Sequence, residues 1–165
     1  MPKTFLKAFI LAFLVAAALS GCATVGSEYP KPAPEFKAKL LNGDVVTLAD
    51  FKGRPLVIGI GATWCPHCMK EAPIFRQVHD HFGDRVGMMG VLMKSTRADV
   101  DELVKKAKIN FMIAFDPDAE VAKDFGVRGI PRIFFIDKNG MIVDDVFGGI
   151  AEDDMIKKID NMLAR

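Results

Sequence analysis

The sequence predicts an α/β fold: a mixed central sheet flanked by helices, with an N-terminal β-hairpin and a central helical insertion. Three observations predict it. Two short apolar runs, Leu56 to Ile60 and Val86 to Leu92, have the profile of buried central strands and are separated by a helical stretch. Two turn signals, Asn42-Gly43 and Lys138-Asn139-Gly140, each join a pair of short strand-like runs. Met155, Ile156, Ile159, Met162 and Leu163 share one face of a closing amphipathic helix, Glu152 to Leu163.

The chain has 165 residues, half of them apolar and 26% charged, which suits one domain with short extensions. A net charge of +1 gives no sign of a nucleic-acid partner. At the N-terminus, Lys3 and Lys7 precede an unbroken apolar run from Ala8 to Leu19. A spanning helix needs roughly 18 such residues, so residues 1–21 read as an export signal peptide. Its removal would turn the net charge from +1 to −1. Leu19-Ser20-Gly21-Cys22 resembles a bacterial lipoprotein signal. That resemblance implies lipidation of Cys22 and a membrane partner through the lipid anchor, with several acyl chains at about 0.8 kcal/mol per buried methylene. Residues 22–34 then form a stalk, in which Pro30, Pro32 and Pro34 favour an extended spacer. Residues 35–165 are the folded domain. Such a domain works outside the cytoplasm, at the periplasmic or outer face of a bacterial membrane, where disulfides persist.

Within the domain, FKAKLLNGDVVTL reads as a hairpin about Asn42-Gly43, and Asp50-Phe51-Lys52-Gly53 as a turn. Leu56 to Ile60 is the first central strand. The Cys65-Pro66-His67-Cys68 stretch opens a helix to about His81, and Val86 to Leu92 is the second central strand. Ala98 to Lys108 is helical, with Thr96 or Asp99 as cap. Phe111 to Phe115 is a short strand, and Asp118 to Phe125 a short helix ended by Gly126. Ile133 to Ile136 and Met141 to Phe147 form the second hairpin.

Cys65 and Cys68 admit several chemistries. Covalent haem attachment needs a histidine after the second cysteine, where this chain has Met69. Structural zinc needs a second ligand pair, and His67, His79 and His81 do not supply one. Copper(I) could use two thiolates with Met88, Met89 and Met93, although methionines in a buried strand are ordinary core filler. A dithiol/disulfide pair fits a strand-to-helix junction directly. With Cys65 as N-cap, Pro66 takes the first helical position, where its missing N–H costs nothing. The Cys65 sulfur then faces the amides of His67 and Cys68. Holding a thiol two pH units below its ordinary ~8.5 takes about 2.7 kcal/mol. The helix dipole supplies at most about 1–2 kcal/mol, and hydrogen bonds to sulfur supply the rest. Cys65 is therefore the attacking sulfur and Cys68 the resolving one.

Ala62-Thr63-Trp64-Cys65-x-x-Cys68 resembles the thioredoxin superfamily, specifically the TlpA/ResA type of membrane-tethered thiol-disulfide oxidoreductase. The likeness runs from about Ala33 to Arg165 through APEFKAKLLNGDVVTLADFKGRPLVI and GVRGIPRIFFIDKNGMIV. It implies a thioredoxin-like fold and no cofactor or metal beyond a redox-active Cys65–Cys68 disulfide. It also implies a helix-kinking role for Pro73 and a cis peptide at Ile130-Pro131, where an X–Pro bond is otherwise trans by default. Backbone beside Pro131 could then pair with a substrate peptide. Spacing alone leaves Glu71 evenly balanced between a solvated carboxylate beside Lys70 and a functional one; the resemblance implies an acid/base partner for Cys68. Gly59 stands where thioredoxin has a buried aspartate. Ile60-Gly61 replaces the usual Phe-Trp, which should open space beside the motif. Arg132 brings a cation to the groove or is a plain rim arginine. Trp64 covers the disulfide or merely packs, and His79 and His81 read as solvated.

Pro66-His67 between the cysteines resembles the oxidant DsbA, whereas the rest of the domain resembles reductants. The resemblance implies exported protein thiols and disulfides as partners, with apocytochrome c cysteines as one substrate class. By analogy, a DsbD/CcdA-type membrane thiol carrier would be the electron donor. The readings carried forward are reduction or exchange of disulfides, a DsbA-like dithiol oxidase, and a copper(I) metallochaperone.

Overall fold

The computed structural model describes residues 29–165; the signal-peptide reading and Cys22 lie outside them. Eight strands and four α-helices follow one another. They are β1 (Lys31–Pro32), β2 (Lys37–Lys39), β3 (Val45–Thr47), β4 (Leu56–Gly61), α1 (Pro66–Phe82), β5 (Gly87–Met93), α2 (Arg97–Ala107), β6 (Met112–Asp116), α3 (Glu120–Asp124), β7 (Arg132–Ile136), β8 (Met141–Phe147) and α4 (Glu152–Leu163). A 3₁₀ turn over Leu48–Phe51 stands where the Asp50 turn is expected, and a second, Gly83–Arg85, follows α1.

Six strands form one mixed sheet in the order β1-β8-β7-β4-β5-β6. β4, β5 and β6 run parallel, while β7 and β8 return antiparallel. β2 and β3 make the separate N-terminal hairpin, tied to the sheet by a bridge from Leu40 to Ala114. β4 is buried along nearly its whole length, which explains its continuous apolar sequence. The sheet's two faces build two core clusters. One takes Val57, Met88, Ile133 and Phe135 against Phe75 and Val78 of α1 and Met155 and Ile159 of α4. The other takes Ile58, Met89, Val91 and Phe134 against Phe36, Phe51 and the short α3. Each fully buried side chain of this size contributes about 1.5–3 kcal/mol. Met88 and Met89 therefore face opposite sides of the sheet. They are core filler and do not converge on a common ion.

The proline-spaced segment is in part a packed element. Lys31 and Pro32 pair with Ile142 and Met141, Ala33 is buried, and the Ala33 amide donates to the Gly140 carbonyl at 2.9 Å. The spacer expected over residues 22–34 thus gives way to sheet packing from about residue 29. β1 can carry two prolines nearby because it is an edge strand.

Most helix ends have local explanations. Thr96 caps α2 by accepting the Asp99 amide at 3.2 Å. α3 starts without a side-chain cap of its own, from Ala119 in a left-handed conformation. Asp116, buried at the end of β6, replaces that cap: its carboxylate accepts the amides of Glu120 at 2.7 Å and Ala122 at 3.2 Å. These are orphan donors of the first turn. Replacing Asp116 by Ala is expected to cost about 1–2 kcal/mol. Urea unfolding should show this as a lower midpoint at unchanged slope.

Candidate active site

β4 ends at Gly61, and a short turn, in which the Cys65 amide donates to the Ala62 carbonyl at 3.1 Å, delivers Cys65 to the N-cap of α1. Pro66 occupies the first helical position, as the sequence requires. Cys65 and Cys68 are joined as a disulfide, and the Cys65 sulfur accepts the Cys68 amide at 3.2 Å. Both residues are 7% exposed, so burial does not distinguish them. The hydrogen bond does: only the Cys65 sulfur occupies the position at which the helix N-terminus stabilises negative charge.

The motif's flanks are pinned by the loop after β5. The Thr63 amide donates to the Ser95 hydroxyl at 3.0 Å, and Ser95 donates onward to the Met93 carbonyl at 3.1 Å. Trp64 is 60% exposed, and its indole Nε1 donates to the Lys94 carbonyl at 2.9 Å. The ring is thus oriented by this loop, a role that the cover-or-pack alternative left out. Sequence reasoning missed Ser95 and Lys94, which lie about 30 residues away in the chain and carry no motif.

Four further predicted residues lie near the pair or in the groove beside it. The Ile130-Pro131 peptide is cis, and Ile130 packs against Cys65, Cys68 and Ala62. His67 is exposed on the first turn of α1. Arg132 does not project freely into the groove: it forms an ion pair with Asp145 and lies 5.8 Å from the Phe134 ring centroid. The Arg132 cation is thereby matched by a carboxylate thirteen positions away. Pro73 lies inside α1, which continues to Phe82. His79 is half-buried with its ring 6.3 Å from that of Phe111, so of the two histidines only His81 is exposed.

Behind the disulfide lies a small apolar cavity of about 50 Å³, lined by Gly59, Gly61, Cys68, Glu71, Phe75 and Gly90 among others. This is the space anticipated from Gly61. It is narrow because α1 comes close: a Cβ at Gly61 would lie 3.0 Å from the Cys68 Cβ, and one at Gly59 2.5 Å from the Phe75 ring. Phe75 therefore stands where an acidic side chain at position 59 would project. Glu71 lines the same cavity and is only 7% exposed. Its Oε1 has no hydrogen-bond partner. Burial pushes its carboxyl up to about 7, against a smaller opposing effect of the Ile150 amide. Of the two readings open for Glu71, the solvated surface carboxylate is excluded.

Comparison with known proteins places this arrangement. Residues 30–144 match the AhpC/TSA family. The thiol-disulfide oxidoreductase ResA of Bacillus thuringiensis subsp. konkukian is 30% identical over 136 residues, covering 80% of this chain and 79% of that one. The thioredoxin-like protein YneN of Bacillus subtilis is 27% identical over 139 residues, covering 82% and 81%. The solved structure of MTB dsbF in its mixed oxidized and reduced forms matches with a TM-score of 0.74 at 30% identity. That match covers 81% of this chain and 99% of the other.

The raised Glu71 carboxyl has a thermodynamic consequence. The folded protein holds this proton more tightly than the unfolded chain, whose carboxyl titrates near 4.5. The stability that Glu71 contributes is therefore fully present at low pH and declines as pH rises from about 4.5 to about 7. The decline amounts to about 2–3 kcal/mol. Urea unfolding of the oxidised protein at pH 5 and pH 8 should show the loss, and Glu71→Gln should flatten the profile by raising stability at pH 8.

Proposed function

The chain belongs to the AhpC/TSA family and is a thiol-disulfide oxidoreductase of the ResA type, and on that premise we propose an extracytoplasmic enzyme, anchored through a lipidated Cys22, that reduces or exchanges disulfides in exported proteins. The observation that carries the chemistry is the Cys68 amide bonded to the Cys65 sulfur at a helix N-terminus.

In the reduced enzyme the Cys65 thiolate attacks one sulfur of a substrate disulfide. The substrate's other sulfur leaves as a thiolate, giving a mixed disulfide with Cys65. Cys68 then loses its proton and attacks the Cys65 sulfur, releasing the second substrate thiol and forming the Cys65–Cys68 disulfide. The substrate gains two electrons and two protons; the enzyme loses the same. Glu71 is the group proposed to take the Cys68 proton. A carboxyl near 7 is matched to that task at neutral pH. Ile130 and Pro131 offer backbone on which a substrate strand can lie beside the cysteines. A membrane thiol carrier would return the electrons. Among the described residues no helix is long and apolar enough to cross a membrane; the anchoring proposal rests on the Leu19-Ser20-Gly21-Cys22 signal in the sequence. Apocytochrome c cysteines are a substrate class by family analogy.

Direction depends on the energy of the thiolate. Thioredoxin at about −270 mV and DsbA at about −120 mV differ by about 7 kcal/mol. A charged His67 beside the thiolate would add at most about 1–3 kcal/mol, and its exposure to solvent screens that charge. The dithiol-oxidase reading is thus carried by the Pro-His dipeptide alone. The copper(I) reading loses its methionines to the two faces of the sheet.

A glutathione titration should place the potential between those two examples; a value at the thioredoxin end contradicts the assignment of any effect to His67. Cys68→Ser should accumulate mixed disulfides through Cys65 with envelope proteins, and recovery of none would count against the enzyme's proposed substrates.

A further inference from the structure

Phe147, the last residue of β8, is 65% exposed, yet its ring has two close neighbours. Gly129 lies against it, since a Cβ there would come within 2.8 Å of the ring. The Arg132 guanidinium lies 5.9 Å from the ring centroid. Arg132 is in turn fixed by Asp145, which also accepts the Tyr29 hydroxyl. An exposed aromatic ring held in this way loses little freedom on contact, which is the character of an interface anchor.

The ring walls a cleft of about 530 Å³, also lined by Tyr29, Lys31, Arg128, Gly129 and Arg132. Among the described residues, the lining includes these three cations and no carboxylate. Asp145 matches the charge of Arg132, and Arg128 is exposed. Arg128 and Gly129 directly precede Ile130 and the cis-Pro131 peptide. A strand laid on that backbone would have its flank beside Arg128 and Gly129, which line the cleft.

We propose that this cleft receives the flank of a substrate peptide bearing a carboxylate and a large apolar side chain, with Arg128 and Phe147 as the specificity-determining residues. The inference rests on the oxidoreductase reading above. The test uses the pre-reduced full chain at low salt and disulfide-bridged peptides differing only in the flank of one cysteine: Glu-Phe, Lys-Phe or Glu-Ala. Stopped-flow rates report the exchange, in which the enzyme dithiol becomes a disulfide and the peptide disulfide two thiols. The Glu-Phe peptide should react about fivefold faster than Lys-Phe. Arg128→Glu should reverse that order, and about 0.5 M salt should abolish it. Phe147→Ala should erase the preference for Glu-Phe over Glu-Ala. Equal rates for all peptides on wild type, or preferences unmoved by both substitutions, would overturn the proposal. So would a Phe147→Ala variant that changes self-association and leaves peptide preference alone, which would give the cleft to a second copy. If no peptide reacts, the oxidoreductase reading fails as well, which separates the two failures.

Discussion

The close approach of α1 to β4 governs the active end of this molecule. Gly59 and Gly61 face it without side chains: a Cβ at Gly59 would lie 2.5 Å from the Phe75 ring, which would have to shift, and one at Gly61 would press on Cys68 at 3.0 Å. With the helix seated there, its first turn comes to the C-terminal end of a central strand. That is where an open α/β sheet presents its loops and ligand crevices. The Cys65 sulfur then meets the Cys68 amide, and Cys68 and Glu71 face inward toward one small apolar cavity. Packing, in this sense, sets the electrostatics.

The same packing gives the two cysteines different surroundings although they are equally buried. One sulfur accepts the Cys68 amide at the helix N-terminus; the other lies a turn further in and shares its cavity with a carboxyl that burial keeps protonated up to about neutral pH. A carboxyl near 7 costs stability whenever it ionises. A fully apolar side chain in the same space would not carry that cost.

Much of the fold is legible in the sequence because the deciding signals are local. Asn42-Gly43 and Lys138-Asn139-Gly140 mark hairpins through the backbone conformations their glycines allow, with Gly43 at φ +97° and Gly140 at φ +78°. Met155, Ile159 and Met162 recur at helical spacing and are buried as that spacing requires. The redox pair is legible for the same reason, being an N-cap, a first-turn proline and a cysteine three residues on. What escaped is non-local. Lys31 and Pro32 read as spacer because their strand partners lie more than a hundred residues away. The Arg132–Asp145 pair joins two strands across a hairpin, and Ser95 reaches Thr63 from the next βα loop. Nothing in the composition of those residues announces a partner.

We propose that helix N-terminal geometry makes Cys65 the nucleophile of the pair. The most direct test is the pH dependence of iodoacetamide alkylation of the freshly reduced protein, with the modified cysteine identified by peptide mass. The account predicts that Cys65 is modified first, with a half-maximal rate at a pH well below the ~8.5 of an ordinary thiol. Equal labelling of Cys65 and Cys68, or a profile centred on the ordinary thiol value, would contradict it.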